Sequence, residues 1–221
     1  MYLSDFREII SSLAVITTVL QFLSGVLVCK QYVDNKTTAE ASALPFICGI
    51  LSCCFWFFYG LVKDDSLIIV VNVIGIFLMV AYTMVFYVFT FKKSTVLKQV
   101  IVTLAYIIIT IAYVLYEHDH EVLLNRLGVM ACSLTLLTIA APMSKLLYVL
   151  RVRSTECLPF PMILMSFFVS TFWFLYGLIV EDGFLLLPNF VGAVLAVSQL
   201  SLFVIYPNKP MSPSLVKSIL A

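Results

Sequence analysis

The sequence predicts an all-α integral membrane protein with seven transmembrane helices, arranged as two parallel three-helix repeats joined by a linker helix (3+1+3). Three observations carry that prediction. Of 221 residues, 62% are hydrophobic and only 11% are charged, whereas a soluble domain holds roughly 45–50% apolar and about 25% charged residues. The charges cluster and leave seven charge-free runs, at 9–29, 41–62, 66–91, 99–116, 127–144, 157–180 and 183–208. A segment of the first half also recurs in the second. Such a composition excludes disorder, a disulfide scaffold and an ordinary soluble enzyme. A net charge of +1 gives nucleic-acid binding no electrostatic footing.

The runs are 18 to 26 residues long, and a spanning helix needs about 20. Backbone amides in lipid must be satisfied internally, which a helix does by itself. Barrel strands of about 10 residues do not suit runs of this length. Helix one is 9–29. The segment before it carries Asp5, Arg7 and Glu8 rather than a basic cluster, and no cleavage pattern follows, so this helix is expected to be retained. Helix two, 41–62, has Pro45 near its start and an aromatic stretch near its end. Helix three, 66–91, carries Asn72. Helix four, about 97–116, is rich in β-branched residues, has no strong polar group and matches neither repeat, so it reads as the linker. Helix five begins before Arg126, because Val122 to Asn125 is already apolar, and holds Pro142. Helix six, 157–180, has Pro159 near its start, and helix seven, 183–208, carries Asn189. The expected division is a first repeat over 1–92, the linker helix and a loop over 93–121, a second repeat over 122–208, and a tail over 209–221.

The repeat is explicit. Phe55-Trp56-Phe57-Phe58-Tyr59-Gly60-Leu61 returns as Phe172-Trp173-Phe174-Leu175-Tyr176-Gly177-Leu178, at an offset of 117 that also relates Asp65 to Asp182, Asn72 to Asn189 and Gly75 to Gly192. Over 55–75 against 172–192, nine of 21 positions are identical. Leu44-Pro45-Phe46 matches Leu158-Pro159-Phe160 after a small indel. Three helices begin and end on opposite faces, so a second copy placed directly after the first would be inverted. The linker helix restores the orientation, and the copies run parallel. Ligand sites in repeat transporters lie near the midplane at the repeat interface.

Loop charges set the orientation. One side holds ten Lys and Arg residues, from Lys30 to Lys217, and the other holds only Arg7, Lys63 and Arg126. The lysine-rich side is expected to be cytosolic, with the N-terminus extracellular or lumenal and the C-terminus cytosolic. Six cysteines sit in or at the edges of the spans and read as reduced packing thiols. The Asn35-Lys36-Thr37 sequon falls in an expected cytosolic loop and should stay unmodified.

The spans lack several kinds of chemistry. No Asp, Glu, Lys, Arg or His lies near the centre of a span, and pumps and proton-coupled transporters usually need an intramembrane titratable group. There is no Walker motif. The spans offer serines but no base for nucleophilic catalysis. No cofactor or metal is called for, since Glu117-His118-Asp119-His120-Glu121 reads as a solvated loop rather than a His-x-His metal site.

What the spans do hold is paired and uncharged. Asn72 and Asn189 must face protein or a cavity, because an amide left in lipid costs several kcal/mol. They are either interhelical glue or part of a symmetric cavity. Trp56 and Trp173, the only two tryptophans, either mark the lipid interface or line the same cavity. Two indoles with two amides make a sensible sugar site, since indole faces take the C–H face of a pyranose and amides take its hydroxyls. Pro45, Pro142 and Pro159 can kink helices and together read as a hinge set, with Gly25 in the corresponding place in helix one. Tolerated kinking without motion is the plainer alternative.

With these residues in place, the chain resembles the SWEET sugar transporters (MtN3/saliva family), and an animal member in particular. The resemblance covers nearly the whole chain and rests on the repeated W-x-x-Y-G, D and N-x-x-G set with L-P-F before it. It implies that Asn72, Asn189, Trp173 and Trp56 bind sugar, with Gln21 and Thr138 as further pocket-lining positions. It implies an outer gate of Tyr59 with Asp182, repeat-matched by Tyr176 and Asp65. It also implies hinges at Pro45, Pro142 and Pro159, with Gly25 departing from a fourth proline. Plant members often carry a smaller residue than Trp56, so the implied pocket is narrower and suits a monosaccharide. The expected function is a uniporter of a neutral, glucose-like sugar working by alternating access between the two bundles, in the plasma membrane or Golgi. The partners are that sugar and the bilayer, with a homo-oligomer left open. Two other classes compete. A PQ-loop-type proton-coupled amino-acid carrier would depend on Asp65 and Asp182. A seven-helix receptor or scaffold would not need the repeat.

Overall fold

The computed structural model describes residues 6–206, so the expected tail at 209–221 lies outside the described residues. Among them the chain is all-helical: α1 (Arg7–Asn35), α2 (Leu44–Lys63), α3 (Ser66–Phe89), α4 (Lys93–Tyr116), α5 (His120–Thr138), α6 (Ala140–Val152), α7 (Phe160–Ile179) and α8 (Gly183–Ile205). These make seven segments long and apolar enough to cross a membrane, with α5 and α6 forming one of them. Large apolar side chains such as Phe77 and Leu115 are exposed on their outer faces, as lipid-facing residues are.

The helices outrun the charge-free runs. α1 continues past Lys30 and Asp34 to Asn35, and α4 starts at Lys93 rather than near residue 97. Charge opposes burial in lipid, yet it does not break a helix, and long basic side chains reach water from a helix end. The fifth span begins at His120, before Arg126 as the apolar residues ahead of it required. It is interrupted at Ile139, because Pro142 has no amide to offer the Thr138 carbonyl. The Ile139 amide bonds the Leu136 carbonyl at 3.1 Å, a tighter turn that carries the chain across the break.

The turn from α2 to α3 and the turn from α7 to α8 are built alike. α2 ends with Asp64 in the left-handed conformation (φ 58°), and Glu181 takes the same conformation after α7 (φ 53°). The Asp65 amide bonds the Gly60 carbonyl at 3.0 Å, and the Asp182 amide bonds the Gly177 carbonyl at 2.9 Å. These reach-back bonds satisfy the helices' last carbonyls. Each aspartate then caps the next helix. The Asp65 carboxylate accepts from the amides of Leu67 (3.0 Å) and Ile68 (3.2 Å). That of Asp182 accepts from Phe184 (2.9 Å) and Leu185 (3.3 Å). Such a cap is worth about 1 kcal/mol, so the repeated Gly-Leu-x-x-x-Asp string encodes a hairpin of two helices.

The chain divides into two compact units, one of Thr18–Ala131 and the other taking in Cys132 onward with the first turns of α1 up to Thr17. In the Thr18–Ala131 unit, Ala43, Ile47, Phe86 and Val96 form a core with Tyr32, Phe46 and Val100 against it. Tyr32 meets Phe86 edge-on at 5.6 Å. In the other unit Val149, Leu158, Ile163, Ala196 and Leu202 play that part, and Phe160 meets Phe203 edge-on at 5.1 Å. Helices in lipid associate through close packing rather than exclusion from water. Gly75 shows this directly, since a Cβ there would lie 2.7 Å from Cys53 Sγ and 2.8 Å from Phe22 Cε2.

Candidate functional site

In the Thr18–Ala131 unit, Asn72 is the seventh residue of α3 and is buried. Its Nδ2 donates to the Ile68 carbonyl one turn back at 2.8 Å. That bond pins the amide and consumes one donor. An asparagine offers two donors and an acceptor oxygen with two lone pairs, so the other N–H and Oδ1 stay available. Trp56, half-buried on α2, meets the Tyr59 ring edge-on at 5.5 Å and 88°. Tyr59 is 1% exposed, and Asp65 stands half-buried at the start of α3. Gln21 and Gly25 are half-buried on α1.

The other unit repeats this arrangement. Asn189 Nδ2 donates to the Leu185 carbonyl at 2.8 Å, and its side chain is half-buried. Trp173 meets Tyr176 edge-on at 5.7 Å and 87°, and Trp173 is buried. Asp182 is only 4% exposed. Thr138 is exposed at the end of α5 and returns its hydroxyl to the Thr135 carbonyl at 2.6 Å.

The prolines divide into two kinds. Pro45 lies in the first turn of α2 and Pro159 is the residue capping α7. No intrahelical amide is needed at either place, so neither kinks a helix interior as expected of them. Pro142 does interrupt a helix, as described above. Gly25, its counterpart 117 residues earlier, leaves α1 continuous and instead makes room. A Cβ there would overlap the Tyr82 ring, whose hydroxyl donates to the Phe22 carbonyl at 3.0 Å. Gln199, 117 residues after Tyr82, donates from Nε2 to the Pro142 carbonyl at 2.9 Å. In each unit a side chain from the third helix of the repeat thus bonds the backbone of the first, at or within a turn of the matched Gly25 and Pro142 positions.

Sequence reading missed these braces, although extending the 117-residue offset would have paired them. It also missed Pro188, which is buried inside α8 immediately before Asn189, and the capping role of both aspartates. His120, expected in a loop, opens α5 and meets the Val62 carbonyl through Nε2 at 2.8 Å, and no metal-holding cluster of His, Cys, Asp and Glu occurs among the described residues.

What these paired, uncharged groups can do is hold a neutral polar molecule through amide hydrogen bonds and aromatic faces. The family model described as "Sugar efflux transporter for intercellular exchange" (MtN3_slv) matches residues 8–94 and again 125–211, one match to each repeat. The chain is 41% identical to the sugar transporter SWEET1 of Drosophila pseudoobscura pseudoobscura, covering 93% of this chain and 92% of that one. It is 30% identical to SWEET1 of Xenopus tropicalis, over 96% of this chain and all of the other. A solved eukaryotic SWEET transporter matches with a TM-score of 0.86 and 24% identity, over 93% of this chain and 99% of that one; this likeness speaks to the fold. The chain belongs to the MtN3/saliva (SWEET) family, a family of sugar transporters and not of enzymes.

Proposed function

We propose that this protein carries a neutral monosaccharide across its membrane by uncoupled, bidirectional facilitated diffusion with alternating access. The observation that carries this reading is the doubled Asn–Trp set. Asn72 and Asn189 are each pinned through one donor and keep an acceptor and a donor for hydroxyls, and Trp56 and Trp173 supply aromatic faces. Gln21 and Thr138 complete the binding set in this proposal. Tyr59 with Asp182, and Tyr176 with Asp65, form the outer gate, and Gly25, Pro45, Pro142 and Pro159 are the inner hinges. The charge-free centres of the spans supply no proton-coupling group, which supports uniport. The bulk of Trp56 supports a monosaccharide over a disaccharide. The lysine-rich loops support a cytosolic C-terminus, with the protein in either the plasma membrane or the Golgi.

Radiolabelled glucose uptake into liposomes holding the purified protein, with no ion gradient, tests the reading. Saturable uptake that levels at equilibrium, and is lost in Asn72→Ala/Asn189→Ala, is the expected result. Uptake that requires a proton gradient would refute uncoupled transport, and no uptake of glucose, fructose or sucrose would favour the amino-acid-carrier plan built on Asp65 and Asp182. Sucrose uptake equal to that of glucose would refute the monosaccharide preference.

A further inference from the structure

The linker helix α4 is loosely held. Of its 24 residues only Val96, Thr103 and Thr110 are buried, a single seam at a spacing of seven. Beside that seam the last turns of α3 and the first half of α4 diverge, and a groove of about 550 Å³ opens over α2. Val80, Met84, Val88, Leu97, Val100 and Leu104 line its length. The Thr83 hydroxyl turns back to the Met79 carbonyl at 2.8 Å, so that residue adds no free polar group. From Val80 to Val88 the groove runs about 12 Å along α3, at 1.5 Å per residue. It starts at the lysine-rich end and reaches most of the way through one ~15 Å leaflet.

The mouth is cationic. Tyr87 lines it, and Lys93 Nζ sits 5.6 Å above the Tyr87 ring. Lys92 is paired with Glu40 at 2.9 Å. Lys93 has no carboxylate partner among the described residues, and neither has Lys98, which lines the adjoining depression between α2 and α4. No acidic residue occurs from Ser66 to Tyr116. An apolar slot reaching most of the way through a leaflet, with an unneutralised cation at its interfacial end, is complementary to one kind of molecule. A sterol would bring no charge for Lys93, and a second copy of α4 would bring β-branched side chains and more lysines.

We propose that this groove is a binding site for an anionic phospholipid of the leaflet on the lysine-rich side, with an acyl chain along Val80–Val88 and the headgroup at Lys93. The proposal stands apart from the sugar site, and its test does not read transport. The purified full chain, in mild detergent, is titrated with dioleoyl-phosphatidylserine, dioleoyl-phosphatidylcholine or cholesterol, and retained lipid is counted by native mass spectrometry. The expected result is saturable retention of one phosphatidylserine, at least about fivefold above phosphatidylcholine. Lys93→Gln, a surface change that leaves packing alone, should remove that preference. Met84→Trp, which fills the slot from its exposed edge, should reduce retention of both phospholipids. Equal retention of the two phospholipids, a preference that survives both substitutions, stronger retention of cholesterol, or displacement of lipid by a second copy of the chain would each overturn the proposal.

Discussion

The two repeats reach the same hairpin but support their first helices differently. The turns ahead of α3 and α8, their aspartate caps, the Trp–Tyr pairs and the asparagine back-bonds agree within a few tenths of an ångström. At the matched Gly25 and Pro142 positions they part. The first repeat keeps α1 continuous, with Gly25 yielding space to the Tyr82 ring. The second breaks its helix before Pro142 and ties the Pro142 carbonyl to Gln199. The geometry matches at the turns, ring pairs and asparagine back-bonds, and it diverges where one helix is broken before Pro142 and the other runs unbroken past Gly25 against a packed ring.

The strongest way to break this comparison is at the asparagines. If both amides serve the substrate equally, Asn72→Ala and Asn189→Ala should each lower liposome glucose uptake by about tenfold or more, the loss of about 1.4 kcal/mol of binding. Stability should separate them. Asn72 is buried and Asn189 half-buried, so thermal unfolding in detergent should fall further for Asn72→Ala. A variant that keeps full uptake would return its asparagine to the role of interhelical glue.

A stability difference is expected at the paired glycines. Gly75→Ala pushes a methyl into Cys53 and Phe22, on two different helices, and overpacking of this kind costs roughly 1–3 kcal/mol. At Gly192 the nearest atom is the Ser170 hydroxyl, at 2.7 Å, with the Ser170 Cβ at 3.4 Å. A hydroxyl can rotate away, and alanine is the better helix former by about 1 kcal/mol. Gly192→Ala should therefore be near neutral in thermal unfolding while Gly75→Ala is clearly destabilised. Equal losses would show that the two helix crossings are equally tight.

The braces should give a smaller effect. Tyr82→Phe and Gln199→Leu each delete one bond to a backbone carbonyl, that of Phe22 or of Pro142, and membrane hydrogen bonds average about 0.6 kcal/mol. Both variants should fold. Gln199→Leu should change glucose flux more than Tyr82→Phe, because it releases an interrupted helix, whereas the Tyr82 ring still fills the space beside Gly25. Equal flux changes would mean that the break before Pro142 is not where the second repeat bends.

Much of the architecture was legible because lipid imposes one rule on every span. Charge-free length located all seven membrane segments, and the 117-residue offset exposed the repeat. Helix ends were less legible: Lys30, Asp34 and Lys93 lie in helices where exclusion of charge implied a boundary. The break at Ile139 was foreshadowed by Pro142, and the charge-free runs already put Pro45 and Pro159 near helix starts, but not within the first turn or cap where a proline costs the helix no bond. Asn72 and Asn189 announced themselves as strong polar groups in apolar runs. Tyr82 and Gln199 did not, because an aromatic and an amide near the lysine-rich end of a helix are unremarkable until their partners are known.

The smallest expected effect belongs to the loops. Glu40 and Lys92 pair at 2.9 Å in the first repeat, while Glu156, just after Thr155 as Glu40 closely follows Thr38, has no ion-pair partner among the described residues. The Lys92 ammonium, by hydrogen bond and by charge, holds the Glu40 carboxyl below its ordinary value of 4.5. A carboxyl depressed in the folded state adds stability that is present above its unfolded pKa and lost as pH falls through its folded one. The pair should therefore contribute fully at pH 7 and fade below about pH 4.5. Both side chains are well exposed, so salt should weaken it further. Thermal unfolding of Lys92→Gln against the unaltered chain checks this: the gap between them should be small at neutral pH and close on acidification or in high salt. The same titration on Glu156→Gln should show no gap at any pH, and a gap there would reveal a matching pair in the second repeat.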